Sequence, residues 1–131
     1  MRNITTKKND RLVHEPKLKV LGLIFFLLLL DQGTKYFAIR YLKGNPGFTL
    51  IKNVLTFRYL ENRGMAFGLL QDQVLFLVLI CIVFFVGIIY FFIKIPATVY
   101  YSPLLFTAVV VFTGAVGNFI DRVFRGFVVD F

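Results

Sequence analysis

Val74-Leu-Phe-Leu-Val-Leu-Ile-Cys-Ile-Val-Phe-Phe-Val-Gly-Ile-Ile-Tyr-Phe-Phe-Ile93 holds no charged residue. At a helical rise of about 1.5 Å per residue, such a run reaches about 30 Å, the thickness of a bilayer's hydrocarbon core. It is too long for a strand and apolar on every side, so it predicts a membrane-spanning helix, closed by Lys94 and Pro96. The whole chain agrees: 58% of its 131 residues are apolar and 18% aromatic, and the mean hydropathy of +0.77 excludes an ordinary soluble domain.

Toward the C-terminus, a short turn through Ala97 to Pro103 leads into a second apolar run, Leu104 to Ile120, a minimal span. Toward the N-terminus, Val20 to Leu30 follows a basic start and resembles the core of a cleaved signal peptide. It breaks into Asp31-Gln32-Gly33 with no Ala-x-Ala-like site, and apolar character resumes at Tyr36 to Ile39. An uncleaved first helix over 18–41 is therefore expected. The fold class is all-α integral membrane, with three transmembrane helices and a small extracytoplasmic β-rich loop between the first two.

That loop has its own texture. Asn45-Pro46-Gly47 and Lys52-Asn53 are turn signals bracketing Phe48 to Ile51 and Val54 to Leu60, and Leu55, Phe57 and Tyr59 alternate in the second piece. A small sheet resting at the bilayer surface is predicted, with Glu61-Asn62-Arg63-Gly64 turning the chain back and Met65 to Leu70 dipping into the interface. One membrane domain follows: a cytoplasmic tail over 1–17, helices over 18–41, 74–93 and 104–121, an extracytoplasmic segment over 42–73, a cytoplasmic turn over 94–103, and an outer segment starting at 122–131.

The formal charge of +8 is spread over segments flanking apolar runs and forms no continuous stripe. The basic residues therefore read as topology signals and contacts to membrane lipids, not as a nucleic-acid surface, and the basic tail places the N-terminus in the cytoplasm. Cys81 is the only cysteine and lies inside an apolar run, far in sequence from His14, so no disulfide, metal site or cofactor is expected.

Two apolar runs end abruptly in polar residues. Asp31 and Lys35 stand one turn apart in the first helix, where a structural ion pair is the bland reading. In the third, Asn118, Asp121, Arg122 and Arg125 follow i, i+3, i+4, i+7 spacing and share one stripe, while Gly114 and Gly117 allow close backbone approach. Ionisable groups at membrane depth are candidate functional groups. The first and third helices run parallel, and counting along each places both polar clusters in the same half of the membrane.

Three blocks then carry a resemblance: Asp31-Gln-Gly-Thr-Lys35, Tyr59-Leu-Glu-Asn-Arg-Gly-Met-Ala-Phe67 and Gly114-Ala-Val-Gly-Asn-Phe-Ile-Asp-Arg-Val-Phe-Arg-Gly-Phe-Val-Val-Asp-Phe131. In order and spacing they resemble the lipoprotein signal peptidases (signal peptidase II). The resemblance implies a monomeric multi-pass aspartic endopeptidase of the bacterial inner membrane, with four transmembrane helices and a β-rich cradle. Its substrate would be a prolipoprotein whose cysteine carries diacylglyceryl, and it would need no metal. Carried over by position, Asp121 matches the first catalytic aspartate, and Asn118 and Arg122 match polar residues beside it. Asp31, Asn62 and Gly64 match residues for structure or substrate contact.

The family's second catalytic aspartate belongs to a Phe-Asn-x-Ala-Asp motif opening a fourth helix, which these residues do not contain. Asp130 falls in the outer segment and is not expected to be the partner acid. The resemblance thus reads as that of a C-terminally truncated member needing its fourth helix for activity. Two further readings stand beside it: a non-catalytic remnant that holds lipoprotein precursors, and a small proton- or ion-conducting protein using Asp31 and Asp121 as relays.

Overall fold

The computed structural model describes residues 4–65, 69–96 and 100–131, and of 4–17 the backbone alone. Arg2 of the basic tail, Ala66 and Phe67 of the second block, and Ala97 to Val99 of the expected turn lie outside the described residues. The chain is mostly helical: α1 (Ile4–Tyr41), α2 (Val74–Lys94) and α3 (Ser102–Arg125). Strands β1 (Phe48–Ile51), β2 (Leu55–Phe57) and β3 (Leu60–Asn62) separate the first two helices, and β4 (Val128–Asp130) follows the third.

Three helical stretches are long and apolar enough to cross a membrane: Leu18–Tyr41, Val74–Lys94 and Ser102–Arg125. Their ends have local causes. Ile95 precedes a proline, which pushes it into extended backbone and closes α2. Pro103 sits in the first turn of α3, where its missing N–H costs nothing, and Gly126 ends that helix in the left-handed region with φ 78°. Helix α1 extends well before Leu18, back to Ile4, so the basic tail continues the first span as helix from that residue on.

Helix α3 is the central element and packs on both α1 and α2. Its buried residues Val109, Thr113, Gly117 and Asp121 recur every fourth position, the row that forms a packing ridge on a helix. On the other side Phe85 of α2 lies edge-on between Phe112 and Phe119, with centroids 5.6 and 5.4 Å away. Few apolar side chains are hidden. Phe25, Leu75 and Val83 are 65%, 75% and 73% exposed, an arrangement that suits hydrocarbon and would be costly in water.

The β-rich segment differs from the expected pair of strands. β1 and β2 form an antiparallel hairpin in which Thr49 opposes Thr56, with Asn53 in the left-handed region at its turn. The run expected as one strand from Val54 to Leu60 breaks at Arg58-Tyr59, and Glu61 and Asn62, expected to turn, instead belong to β3. That strand pairs antiparallel with β4, Leu60 opposite Asp130 and Asn62 opposite Val128. A partner nearly seventy residues away in sequence thus overrides the local turn signal, as strand pairing does when a neighbouring edge is free.

At Gly117, α3 leaves room for the Asp31 side chain of α1. A Cβ built there would run into the Asp31 carboxylate. Gly117→Ala should therefore push the two helices apart at the depth where their polar groups meet. A loss of about 1–3 kcal/mol is expected, as for overpacked cores. It would be read as a fall in thermal stability in detergent, and an unchanged Tm would contradict the close packing.

Candidate active site

Lys35 organises the polar interior. Its ammonium lies 3.1 Å from Asp31 Oδ2 and 3.0 Å from Asp121 Oδ2, and it donates to Asn118 Oδ1 at 3.1 Å. Three donors meet three acceptors, so a charge only 5% exposed is left with nothing unpaired. Asp121 is wholly buried. Its Oδ1 accepts from Arg125, and its Oδ2 also takes the Val129 N–H at 3.1 Å. Gln32 completes the set: its amide nitrogen donates to Asp31 at 2.9 Å and lies 3.4 Å from Asp121 Oδ1, and its oxygen accepts from Arg125.

Two carboxylates and two cations thus balance within one network joining α1 to α3. The expected i,i+4 pair of Asp31 with Lys35 is present, and the matching depth of the two polar clusters is met, with Asp31 against Gly117 and Lys35 against Asp121. Arg125 stood on the sequence stripe without being counted as a site residue, and Gln32 was passed over although it lies inside the first block. Helical spacing supplied the signal for the first, since Arg125 lies one turn from Asp121 on the stripe, and Asn118, Asp121 and Arg125 all reach side chains of α1.

A second set lies around β3 and β4. The Asn62 amide donates to Asp130 Oδ2 at 2.9 Å, and its oxygen accepts the Gly64 N–H at 2.9 Å, an Asx turn that fixes the amide's orientation. Arg122 donates to the Gly64 carbonyl at 3.0 Å and thereby ties this turn to α3. Gly64 is needed as glycine: a Cβ there would meet the Leu69 carbonyl at 2.6 Å. Asp130 is half-buried, unlike Asp121. The two sets meet at β4, where Val129 reaches inward to Asp121 and Asp130 reaches the opposite way, to Asn62.

All eight candidate residues thus fall into two adjoining networks: Asp31, Lys35, Asn118 and Asp121 in the interior, Asn62, Gly64 and Asp130 at the strands, and Arg122 between them. Among the described residues no cluster of three or more His, Cys, Asp or Glu could hold a metal ion.

Residues 23–131 match the family model described as signal peptidase (SPase) II. The chain belongs to the signal peptidase II family. The "Lipoprotein signal peptidase" of Caldanaerobacter subterraneus subsp. tengcongensis is 42% identical over 109 residues, 83% of this chain and 73% of that protein. That of Clostridium novyi is 40% identical over 83% of this chain and 72% of its own. A solved bacterial membrane enzyme, determined by the in meso method at 2.3 Å resolution, superposes with a TM-score of 0.77 at 34% identity, over 86% of this chain and 68% of the other. The match covers all three motif blocks and both networks, so the chain is a membrane enzyme of the aspartic peptidase type.

Within it, Asp121 has no exposed surface: one oxygen accepts from Arg125, and the other from Lys35 and the Val129 N–H. Asp130, not expected to be the partner acid, is half-buried and accepts from Asn62.

Proposed function

We propose that this chain, together with the segment that carries the second aspartate, removes the signal peptide from prolipoproteins whose cysteine carries diacylglyceryl, at the bacterial inner membrane, with Asp121 as the first catalytic carboxylate. The observation that supports the reading is the convergence of Asp31, Lys35, Asn118 and Asp121 from α1 and α3 in one polar network at membrane depth. Through the Val129 N–H, Asp121 is also joined to the strand on which Asp130 meets Asn62.

Aspartic chemistry needs two carboxylates in opposite protonation states. One takes a proton from water as the water oxygen attacks the scissile carbonyl, and the other protonates the carbonyl oxygen and then the leaving nitrogen. Asp31 pairs with Lys35 one turn away on α1, in a supporting place beside Asp121. The partner acid would be the aspartate of the Phe-Asn-x-Ala-Asp segment that the resemblance puts beyond α3. With the basic tail in the cytoplasm, α3 would deliver Asp121 to the outer half of the membrane, where lipoprotein precursors emerge.

A gel-shift assay of the chain extended through that segment, on a lipidated and an unlipidated prolipoprotein in proteoliposomes, tests the substrate class. Cleavage of the lipidated form alone is expected, and equal cleavage of both would overturn the lipid requirement.

A further inference from the structure

The two oxygens of Asp121 are held from different sides. Oδ2 takes the Lys35 ammonium at 3.0 Å and the Val129 N–H at 3.1 Å, and these two residues are 5% and 1% exposed. Oδ1 accepts from Arg125 and has the Gln32 amide nitrogen at 3.4 Å. Its partners are more open: the Arg125 side chain is 28% exposed and Gln32 is half-buried. A carboxylate oxygen can accept twice. Oδ2 is therefore saturated and fastened to the interior, while Oδ1, with one strong donor and one long contact, keeps acceptor capacity on the more open side.

Arg125 reaches Oδ1 from the last turn of α3, one turn beyond Asp121 and next to the Gly126 that ends the helix. A cation suits this end, where the last carbonyls lack intrahelical N–H partners. The i,i+4 spacing brings the two side chains together, but one such contact does not fix a long, flexible side chain. Gln32 supplies a second contact. Its Oε1 accepts at 3.2 Å from Arg125 Nη1, the same nitrogen that meets Asp121. An Nη nitrogen carries two N–H groups, so each has its own acceptor.

Gln32 is oriented in turn by its other end. Its amide nitrogen lies 2.9 Å from Asp31 Oδ2, 3.4 Å from the Gly117 carbonyl and 3.4 Å from Asp121 Oδ1. All three are accepting oxygens, so the nitrogen must face them and Oε1 is left for Arg125. The contacts run from α1 to α3 in order: Asp31 sets Gln32, Gln32 sets Arg125, and Arg125 sets Oδ1.

We infer that Arg125 and Gln32 are positioning residues for the proposed reaction, fixing Asp121 Oδ1 as the oxygen that meets water or the scissile group. The inference rests on Asp121 as the first catalytic carboxylate. The torsion that turns a carboxylate about its last bond is broad, so donors and not the rotamer decide where each oxygen stands. Without Arg125, Oδ1 keeps only the long contact to Gln32, and the carboxylate can tilt about the fastened Oδ2. Rates fall steeply with such tilts, because reacting atoms must sit about 3–3.5 Å apart and aligned.

The test uses the chain extended through the second aspartate and its fourth helix, with kcat and KM for a lipidated prolipoprotein taken per folded molecule. Arg125→Met, which keeps an apolar stem and removes the donors, should lower kcat about tenfold with KM unchanged. Arg125→Lys, which keeps one charged donor, should recover most of that loss. Gln32→Leu should lower kcat about fivefold alone but less than about twofold in the Arg125→Met background, because it acts through Arg125. Parent kcat in Arg125→Met would overturn the inference. A rise in KM alone would also overturn it, by placing Arg125 against the substrate, and so would losses that multiply in the double variant. Should Arg125→Met fail to fold, Gln32→Leu decides, and parent kcat there overturns the inference. Asp121→Asn beside them separates the premise: cleavage at the parent rate by that variant sinks the catalytic reading of Asp121, whereas its inactivity beside a normal Arg125→Met sinks this inference alone.

Discussion

Asp121→Ala should deplete folded protein more than any other single substitution in the chain. The change leaves Lys35 and Arg125 with one carboxylate, Asp31, in a site where Lys35 is 5% exposed, and frees the Val129 N–H from its acceptor. Breaking a buried ion network by removing one partner costs about 3–5 kcal/mol, because the remaining charge stays desolvated. That is a large share of the total stability of a small domain. The expected result is a collapse of the monodisperse fraction after detergent extraction. Asp121→Asn, which keeps the shape and one acceptor oxygen, should be intermediate. Normal accumulation of Asp121→Ala would show that the network is not the anchor that joins α1, α3 and β4.

Asp121→Asn should also abolish cleavage by the chain extended through the second aspartate. The amide keeps the shape but loses the capacity to take or give a proton, a contribution of about a thousandfold in general acid–base catalysis. Per folded molecule, the gel shift of a lipidated prolipoprotein should disappear. Asp130→Asn, whose half-buried carboxyl accepts from Asn62, keeps that contact through its amide oxygen and should lower processing far less. Cleavage at the parent rate by Asp121→Asn would remove Asp121 from the chemistry.

The contrast between these two aspartates marks where sequence reading stops. The three spans were legible to within a few residues at most ends, because long uncharged runs, Pro96 and Pro103 are local signals. The stripe of Asn118, Asp121, Arg122 and Arg125 was legible for the same reason: helical spacing puts them on one face, and all four do join the polar networks. Which carboxylate is enclosed was not legible, since burial of Asp121 is produced by Lys35 and Gln32 of another helix and by the backbone of Val129. Likewise β4 is three residues long, too short for a period to declare itself, and exists because β3 offers it an edge. The turn expected at Glu61-Asn62 lost to that pairing, and with it went the sign that Asn62 and Asp130 face one another.

The division of labour proposed for the carboxylates is tested most directly by assaying the 131-residue chain beside the same chain extended through a Phe-Asn-x-Ala-Asp segment and a fourth helix. Both would be reconstituted with a diacylglyceryl-modified prolipoprotein and read by gel shift. If Asp121 and a second aspartate share the acid and base roles, the extended chain should cut at the lipidated cysteine and the 131 residues alone should not. Clear cleavage by the 131 residues would mean that Asp130 or Asp31 supplies the second carboxylate, contradicting the need for the aspartate of the further segment.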